Sequence, residues 1–305
     1  MPPATPPPTP VRFGRRTADL PGPELAPIGP GCHRGDDPAS LRARLAEDGF
    51  LWVRSLLPRA EVLAARAAVL GFMAEHEGLE PGSRPLEGVM GGGGRTVQMQ
   101  GRRPVTHLPE VLGVLEHPNL FALHEALQGE PVVTFPHKWL RAVGREEFTG
   151  AHVDHVYMGR GSGRVLTTWL PLDDLPLERG VLAVCRGSHR SEGFARVRAT
   201  YGQMDVDRDG VRGWFSDDPV ELSEAFGGQW VTGAFEAGDA LVFGMHTMHA
   251  STTNTTDRWR LSCDVRFQPA ADPVDPRWEG EDPIGHDDHP AFPVQMAEAR
   301  AAWGV

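Results

Sequence analysis

The chain has 305 residues, 40% of them hydrophobic and 23% charged, with a formal net charge of −11. This composition is that of a globular protein rather than a disordered one, and the acidic balance argues against a nucleic-acid partner, whose phosphates require a basic face. Cys32, Cys185 and Cys263 are too few and too scattered for a disulfide framework or a thiolate zinc site, and no apolar run nears the ~18 residues that mark a membrane span.

Residues 1–35 are dense in proline and glycine, a composition that favours extended backbone and sustains no core, so a flexible tail is expected. The first ten residues, MPPATPPPTP, lack the apolar stretch of a signal peptide. A cytoplasmic location is the resulting expectation. Asp37 followed by Pro38 predicts a helix start, with Asp37 as N-cap and proline where its missing N–H does no harm. Leu41 and Leu45 then share a face. GFLWVRSLL (49–57) reads as a strand, and Val62, Leu63, Leu70 and Met73 mark a second helix. EGVMGGGGRTVQMQGRR (87–103) predicts a mobile loop. It has glycines but neither the lysine of a P-loop nor the Rossmann spacing. Residues from about 107 to 128 again look helical.

From Val132 the texture changes to short β-rich runs at 132–135, 137–143, 151–157, 165–171, 181–185, 230–235, 239–244 and 259–267. Strands of this length in this number predict an antiparallel sandwich or barrel such as a jelly roll, and helices ahead of strands make the whole α+β. Residues 36–270 are expected as a single domain with an insertion at about 190–229, and 271–305 as a C-terminal extension with a short helix. Asp205, Asp207, Asp209 and Gly210 in that insertion faintly resemble a calcium loop, but the closing glutamate is absent. An insertion near the barrel mouth is the plainer reading. HDDH (286–289) looks like a metal cluster but lies among prolines and aspartates, so a solvated segment is expected.

GAHVDHVYMG places His152 and Asp154 two residues apart. On a strand both point to one face, and His155 points to the other. Two ionisable groups aimed into a barrel need a reason, and coordination of a cation removes the cost of burying them. A third ligand from a neighbouring strand is available in GMHTMHASTTNTTDRW, where His246 and His249 both qualify. They fall on opposite faces of an extended segment, so at most one joins the site. Beyond them Arg258, Arg260, Ser262, Asp264 and Arg266 share one face of a strand, and Trp259, Leu261, Cys263, Val265 and Phe267 the other. The first face suits a polar interior holding an anion. Two histidines and a carboxylate form the facial triad of non-heme Fe(II) oxygenases, which leaves positions open for a bidentate cosubstrate and O2. An arginine eleven residues past His249 suits the far carboxylate of 2-oxoglutarate.

DGFLWVRSLLPRAEV, HVDHVYMGRGSGRVLTTWLPLDDLPLERGVLAVCRGSH and GDALVFGMHTMHASTTNTTDRWRLSCDVRF together resemble the phytanoyl-CoA dioxygenase family of Fe(II)/2-oxoglutarate oxygenases. The resemblance implies a double-stranded β-helix, the jelly roll of cupin-like proteins, with N-terminal helices packed on one sheet. It makes His152, Asp154 and His249 the catalytic iron ligands, Arg260 and Ser251 the 2-oxoglutarate carboxylate partners, Trp169 a wall of the cosubstrate pocket, and Lys138 a further cosubstrate contact. Fe(II), 2-oxoglutarate and O2 are the implied cofactors. The partner is a small organic substrate hydroxylated at an aliphatic C–H, with release of succinate and CO2. Retention of Asp154 favours hydroxylation over halogenation, for which related enzymes vacate this position. ERGVL (178–182) replaces the family's usual Asn-Gly, and Arg186 replaces a proline before Gly187-Ser188-His189. Arg95, Gln98 and Gln100 of the glycine-rich loop and Trp214 of the insertion are candidate substrate contacts, because loops at a barrel mouth often bind. The plain alternative is that they are exposed polar loop groups without a role. Two other functions stay open beside the oxygenase: a non-catalytic jelly-roll protein that binds a metal or ligand, and a cupin-like metal isomerase. Only the oxygenase needs Arg260 beside the metal.

Overall fold

The computed structural model describes residues 7–91, 97–101, 103–286 and 293–305. In chain order, three strands come first, β1 (Thr9–Phe13), β2 (Arg16–Leu20) and β3 (Leu25–Pro27). Then follow α1 (Pro38–Asp48), β4 (Phe50–Val53), α2 (Arg59–Glu75), β5 (Val97–Gln98), α3 (Arg103–Thr106), α4 (Pro109–Leu115) and α5 (Pro118–Gln128). The β-rich part begins with β6 (Val132–Thr134), β7 (Trp139–Val143), α6 (His155–Met158), β8 (Leu166–Pro171) and β9 (Leu182–Arg186). After short helices α7 (Ala195–Ala199), α8 (Val206–Asp209) and α9 (Pro219–Phe226) come β10 (Gln229–Thr232), β11 (Ala240–Gly244), β12 (His249–Ser251), β13 (Arg260–Pro269) and α10 (Met296–Trp303). Among the described residues no helix is long and apolar enough to cross a membrane.

Two sheets carry the architecture. The larger runs β4-β11-β8-β13-β7-β5, with β6 also paired to β13, and the smaller runs β12-β9-β10-β3. Period-two alternation decides what each face does. In the larger sheet Leu51, Val53, Leu170, Val242, Leu261, Cys263, Val265 and Phe267 pack against α1, α2, α4 and α5 in one continuous core. The opposite face turns Phe50, Trp52, Trp169, Leu241 and Phe243 toward Leu182, Val184 and Val231 of the smaller sheet. The site lies between the two sheets, where these apolar residues give way to polar ones.

The helices start and stop as their local chemistry dictates. The Asp37 carboxylate accepts the Ser40 N–H at 2.9 Å, and α1 closes at Gly49, whose φ of 86° suits a residue without a Cβ. The helical stretch expected over 107–128 is two helices, because Pro118 cannot continue α4 and starts α5 instead.

Residues 9–27 correct the expectation of a tail. β1 and β2 pair antiparallel, and β3 adds in parallel to β10. Val11, Phe13, Ala18 and Leu20 are buried in the core beneath the outer face of the smaller sheet, and the Phe13 ring meets Trp230 edge-on at 5.1 Å. The alternation in VRF and TADL is a strand signal that the surrounding prolines outweighed. The run at 151–157 is a second correction. Ladder pairing extends only through isolated bridges at Ala151 and His152, after which Asp154 adopts helical angles and the chain enters α6.

Candidate metal centre

Three segments deliver the central side chains. His152 and His249 face each other across a bridge in which each N–H donates to the other's carbonyl at 2.9 Å. Their rings lie 4.1 Å apart. The turn into α6 then brings Asp154 back to them. Asp154 Oδ1 is 3.8 Å from His152 Nε2 and 3.7 Å from His249 Nε2, and one ligand atom from each residue lies within 4.8 Å of the others. All three residues are at most 5% exposed.

The tautomers are set from outside the cluster. His152 Nδ1–H donates to the Gly150 carbonyl at 2.8 Å and His249 Nδ1–H to the Thr247 carbonyl at 3.0 Å, which leaves both Nε2 lone pairs aimed inward. Burial pushes His152 down to about 3, with the neighbouring imidazole adding to the effect, and lowers His249 in the same way. Neutral imidazole is the ligating form. For Asp154 burial acts to raise the pKa. Arg266, the two imidazoles and the Thr167 hydroxyl outweigh it and hold the carboxyl below its ordinary range. Asp154 Oδ2 accepts the Thr167 hydroxyl at 2.5 Å and faces Arg266 Nη2 at 3.4 Å. One carboxylate oxygen is therefore held by the protein, and the other converges with the imidazoles. Two nitrogens and one oxygen on one side of a point, with space beyond, suit a divalent transition metal with open positions.

Arg260 and Trp169 line the same narrow recess. The Arg260 guanidinium is 1% exposed, donates from Nη1 to the Ser262 hydroxyl, and leaves Nε without a hydrogen-bond partner. Burial, reinforced by Arg141 and opposed by Asp264, brings it down to about 10, so it remains a cation at neutral pH. A buried, incompletely bonded guanidinium in the recess that the triad also lines has donors to offer a carboxylate. Ser251 lies two residues from His249 on β12 and is fully buried, but its hydroxyl accepts the Thr149 N–H at 2.8 Å rather than lining the recess.

Lys138 is a correction. It precedes Trp139 at the start of β7 with its side chain toward the helices, Nζ 2.7 Å from Glu116 Oε1. Period two puts Trp139 and Arg141 on the inner face instead. Arg141 donates from Nε to Asp264 Oδ2 at 2.8 Å and lines the recess, which the choice of Lys138 missed by one face.

An outer chamber of about 130 Å³ opens beside the triad, walled by Gln100, Trp139, Tyr157, Met158, Trp214 and Arg266. Gln100 and Trp214 are thus at the site. The backbone of Gln98 pairs with Arg141 in β5. Arg95 and the Gln98 side chain lie outside the described residues. Trp214 comes from the segment between α8 and α9 and packs so close to Gly150 that a Cβ there would sit 2.6 Å from the indole. His155 and His246 stack on each other at 4.5 Å away from the triad, as the first turn of α6 carries His155 outward.

His286 corrects the solvated reading of HDDH. It stands at the chamber, 5.6 Å from the Tyr157 ring and 4.9 Å from the Trp278 ring, with Nδ1 3.2 Å from Asp207 Oδ2. Asp287, Asp288 and His289 lie outside the described residues. The aspartates of the calcium-like stretch are engaged elsewhere: Asp205 pairs with Arg160 at 2.6 Å and caps α8, and Asp207 binds Arg277. Thr167 and Arg141 are among the site residues that the sequence did not single out, although facing direction along a strand was the available signal. Arg266 was placed on the polar face of its strand without a role, and His286 belonged to the HDDH stretch expected to be solvated.

Comparison with known proteins places these observations in context. The family model described as phytanoyl-CoA dioxygenase (PhyH) matches residues 45–262. The non-heme epimerase SnoN from nogalamycin biosynthesis, crystallised with Fe3+, alpha ketoglutarate and nogalamycin RO, is 22% identical. It aligns over 82% of this chain and 93% of its own, with a TM-score of 0.56. The carbocyclase SnoK from the same biosynthesis is 20% identical over 81% of this chain and 90% of its own, with a TM-score of 0.55. EctD from S. alaskensis is 19% identical over 90% of this chain and 92% of its own, also at 0.55. Likeness at this level of identity speaks for a shared fold.

Proposed function

The chain belongs to the phytanoyl-CoA dioxygenase family, and from that premise we propose that it is an Fe(II)- and 2-oxoglutarate-dependent dioxygenase that hydroxylates an aliphatic C–H of a small organic molecule. Its two sheets would form the two sides of a double-stranded β-helix. In this reading His152, Asp154 and His249 hold the iron, and Arg260 takes the far carboxylate of 2-oxoglutarate beside Trp169. One observation carries the reading: the inward Nε2 lone pairs and the free Asp154 oxygen converge in the recess that also holds the buried Arg260 cation. The donor set and that cation fit both groups.

When bound, iron with 2-oxoglutarate and O2 supplies oxidative decarboxylation to succinate and CO2, coupled to attack on a substrate C–H. The protein does the rest. Gly150 and Thr247 carbonyls hold the imidazoles in the ligating tautomer, and Thr167 and Arg266 fix the Asp154 carboxylate by its second oxygen. Trp169, Phe243 and Leu182 line the recess with apolar surface that excludes water from the reacting groups. The outer chamber positions the substrate carbon. Retention of Asp154 leaves no vacated carboxylate position for a halide, which favours oxygen transfer.

The test is anaerobic addition of Fe(II) and 2-oxoglutarate, followed by a visible metal-to-ligand absorption band. Admission of air should then release succinate, and 18O2 should label the product of a metabolite screen by one oxygen atom. A band absent in wild type and in 2-oxoglutarate titrations rejects the assignment. Turnover that yields an isomer or a ring closure without added oxygen keeps the cofactor reading and rejects hydroxylation.

A further inference from the structure

The recess and the outer chamber together are lined by three cations, Arg141, Arg260 and Arg266, and two carboxylates, Asp154 and Asp264, a surplus of one positive charge. Ferrous iron and 2-oxoglutarate cancel each other in formal charge, so loading both leaves the surplus in place. Arg141 is neutralised by Asp264 at 2.8 Å, and Arg260 by the cosubstrate in the reading above. The surplus therefore rests on Arg266.

Arg266 is 4% exposed, its guanidinium lies 4.0 Å over the Trp139 ring, and it is the cation of β13 that lines both spaces. Nη2 reaches Asp154 Oδ2 only at 3.4 Å, and Nε and Nη1 have no hydrogen-bond partner. A fixed, buried guanidinium with unused donors is matched by a carboxylate that accepts charge-assisted N–H bonds. The ring faces around it bind flat or apolar surface.

We propose that the substrate is a small monocarboxylic acid with an apolar body. Arg266 binds its carboxylate, and Trp139, Tyr157 and Trp214 enclose its carbon skeleton. The acid group then sits at the boundary between metal centre and chamber, so that a carbon a few bonds from the carboxylate faces the triad. This rests on the reading of the metal centre given above. Arg266 is a specificity residue on this account, apart from its contact with Asp154.

The experiment uses the full-length protein loaded anaerobically with Fe(II) and saturating 2-oxoglutarate, so that the probes cannot occupy the cosubstrate position. Phenylacetate, 3-phenylpropionate, indole-3-acetate and hexanoate are titrated, each beside its carboxamide. Binding is read from tryptophan fluorescence and from perturbation of the visible band. At least one acid should bind about tenfold or more tightly than its amide, the size of discrimination a buried charge-assisted pair provides. Arg266→Gln also removes the contact to Asp154, so it is titrated at Fe(II) and 2-oxoglutarate concentrations that saturate its own visible band; there the preference should fall to under about twofold, and Arg266→Lys should restore part of it. A residue that only positions Asp154 would change the band or the metal affinity and leave the acid-over-amide preference intact. The proposal is overturned if no acid outcompetes its amide in wild type, or if the preference survives Arg266→Gln. Should Arg266→Gln fail to fold, the wild-type comparison and Arg266→Lys decide. A missing visible band in wild type, seen before any probe is added, rejects the metal-centre reading and this proposal with it.

Discussion

Thr167→Val tests whether the protein tunes the triad through the oxygen of Asp154 that faces away from the imidazoles. Valine keeps the shape of threonine and deletes the hydroxyl, which is 1% exposed in a strand where solvent cannot replace it. The lost bond is a 2.5 Å O–H donation to a carboxylate buried at 3% exposure. Hydrogen bonds to charged groups contribute about 1.5–3 kcal/mol, and each 1.4 kcal/mol is about tenfold in a dissociation constant. Arg266 at 3.4 Å is too distant to take over fully. Fe(II) or Mn(II) affinity should therefore fall by about 10- to 100-fold, in line with the usual effect of removing a partner of a ligand. Anaerobic calorimetry with Mn(II) measures it, with circular dichroism to show that the fold is kept. A change below about twofold with an intact fold would refute the argument that this hydroxyl orients the carboxylate.

Arg260→Lys should weaken 2-oxoglutarate binding by about 30-fold or more, because a point charge replaces a bidentate fork; anaerobic titration of the visible band reads it, with metal affinity unchanged. His124 is fully buried, donates or accepts at Thr168 Oγ1 at 2.7 Å, stacks on Phe267 at 4.3 Å, and is pushed down to about 3 by burial. Its folded pKa lies below its unfolded value near 6.5, so the unfolded chain binds the extra proton: stability is full above about pH 6.5 and declines as pH falls toward 3. His124→Gln should flatten the fall of Tm between pH 6.5 and 4 in the metal-free protein. Phe13→Ala empties a fully buried ring site against Trp230 and should cost about 3–5 kcal/mol in denaturant unfolding. A loss below about 0.5 kcal/mol would mean that the first strands contribute nothing to the core.

Local chemistry made much of the molecule readable. Asp37-Pro38 marked the start of α1, Val62 and Met73 the buried side of α2, and the alternation from Arg260 to Phe267 separated the inner from the outer face of β13, whereas Arg258 precedes that strand and donates to the Glu87 carbonyl at 2.7 Å instead. These signals are short-range, set by period and by capping, and survive whatever surrounds them. Lys138 shows where that kind of signal was not used. A cation one position from Arg141's face is near the site in sequence and on the wrong side of the sheet in space. The hairpin at 9–20 shows a different limit, since composition there pointed to a tail while burial against Trp230 supplies what proline and glycine lack.

What the sequence alone determined is the inventory: which residue types stand at His152, Asp154, His249 and Arg260, which strands alternate, and hence the chemistry that an ion between them could support. Convergence was decided only by tertiary structure. Asp154 reaches the imidazoles because the chain turns into α6 rather than continuing as a strand. Thr167 and Arg266 reach Asp154 because β8 and β13 are neighbours in the sheet. His286 reaches the chamber because Asp207, 79 positions earlier, holds it there. Contacts between residues so far apart in the chain are selected by the packing of whole elements, and no local period or propensity encodes them.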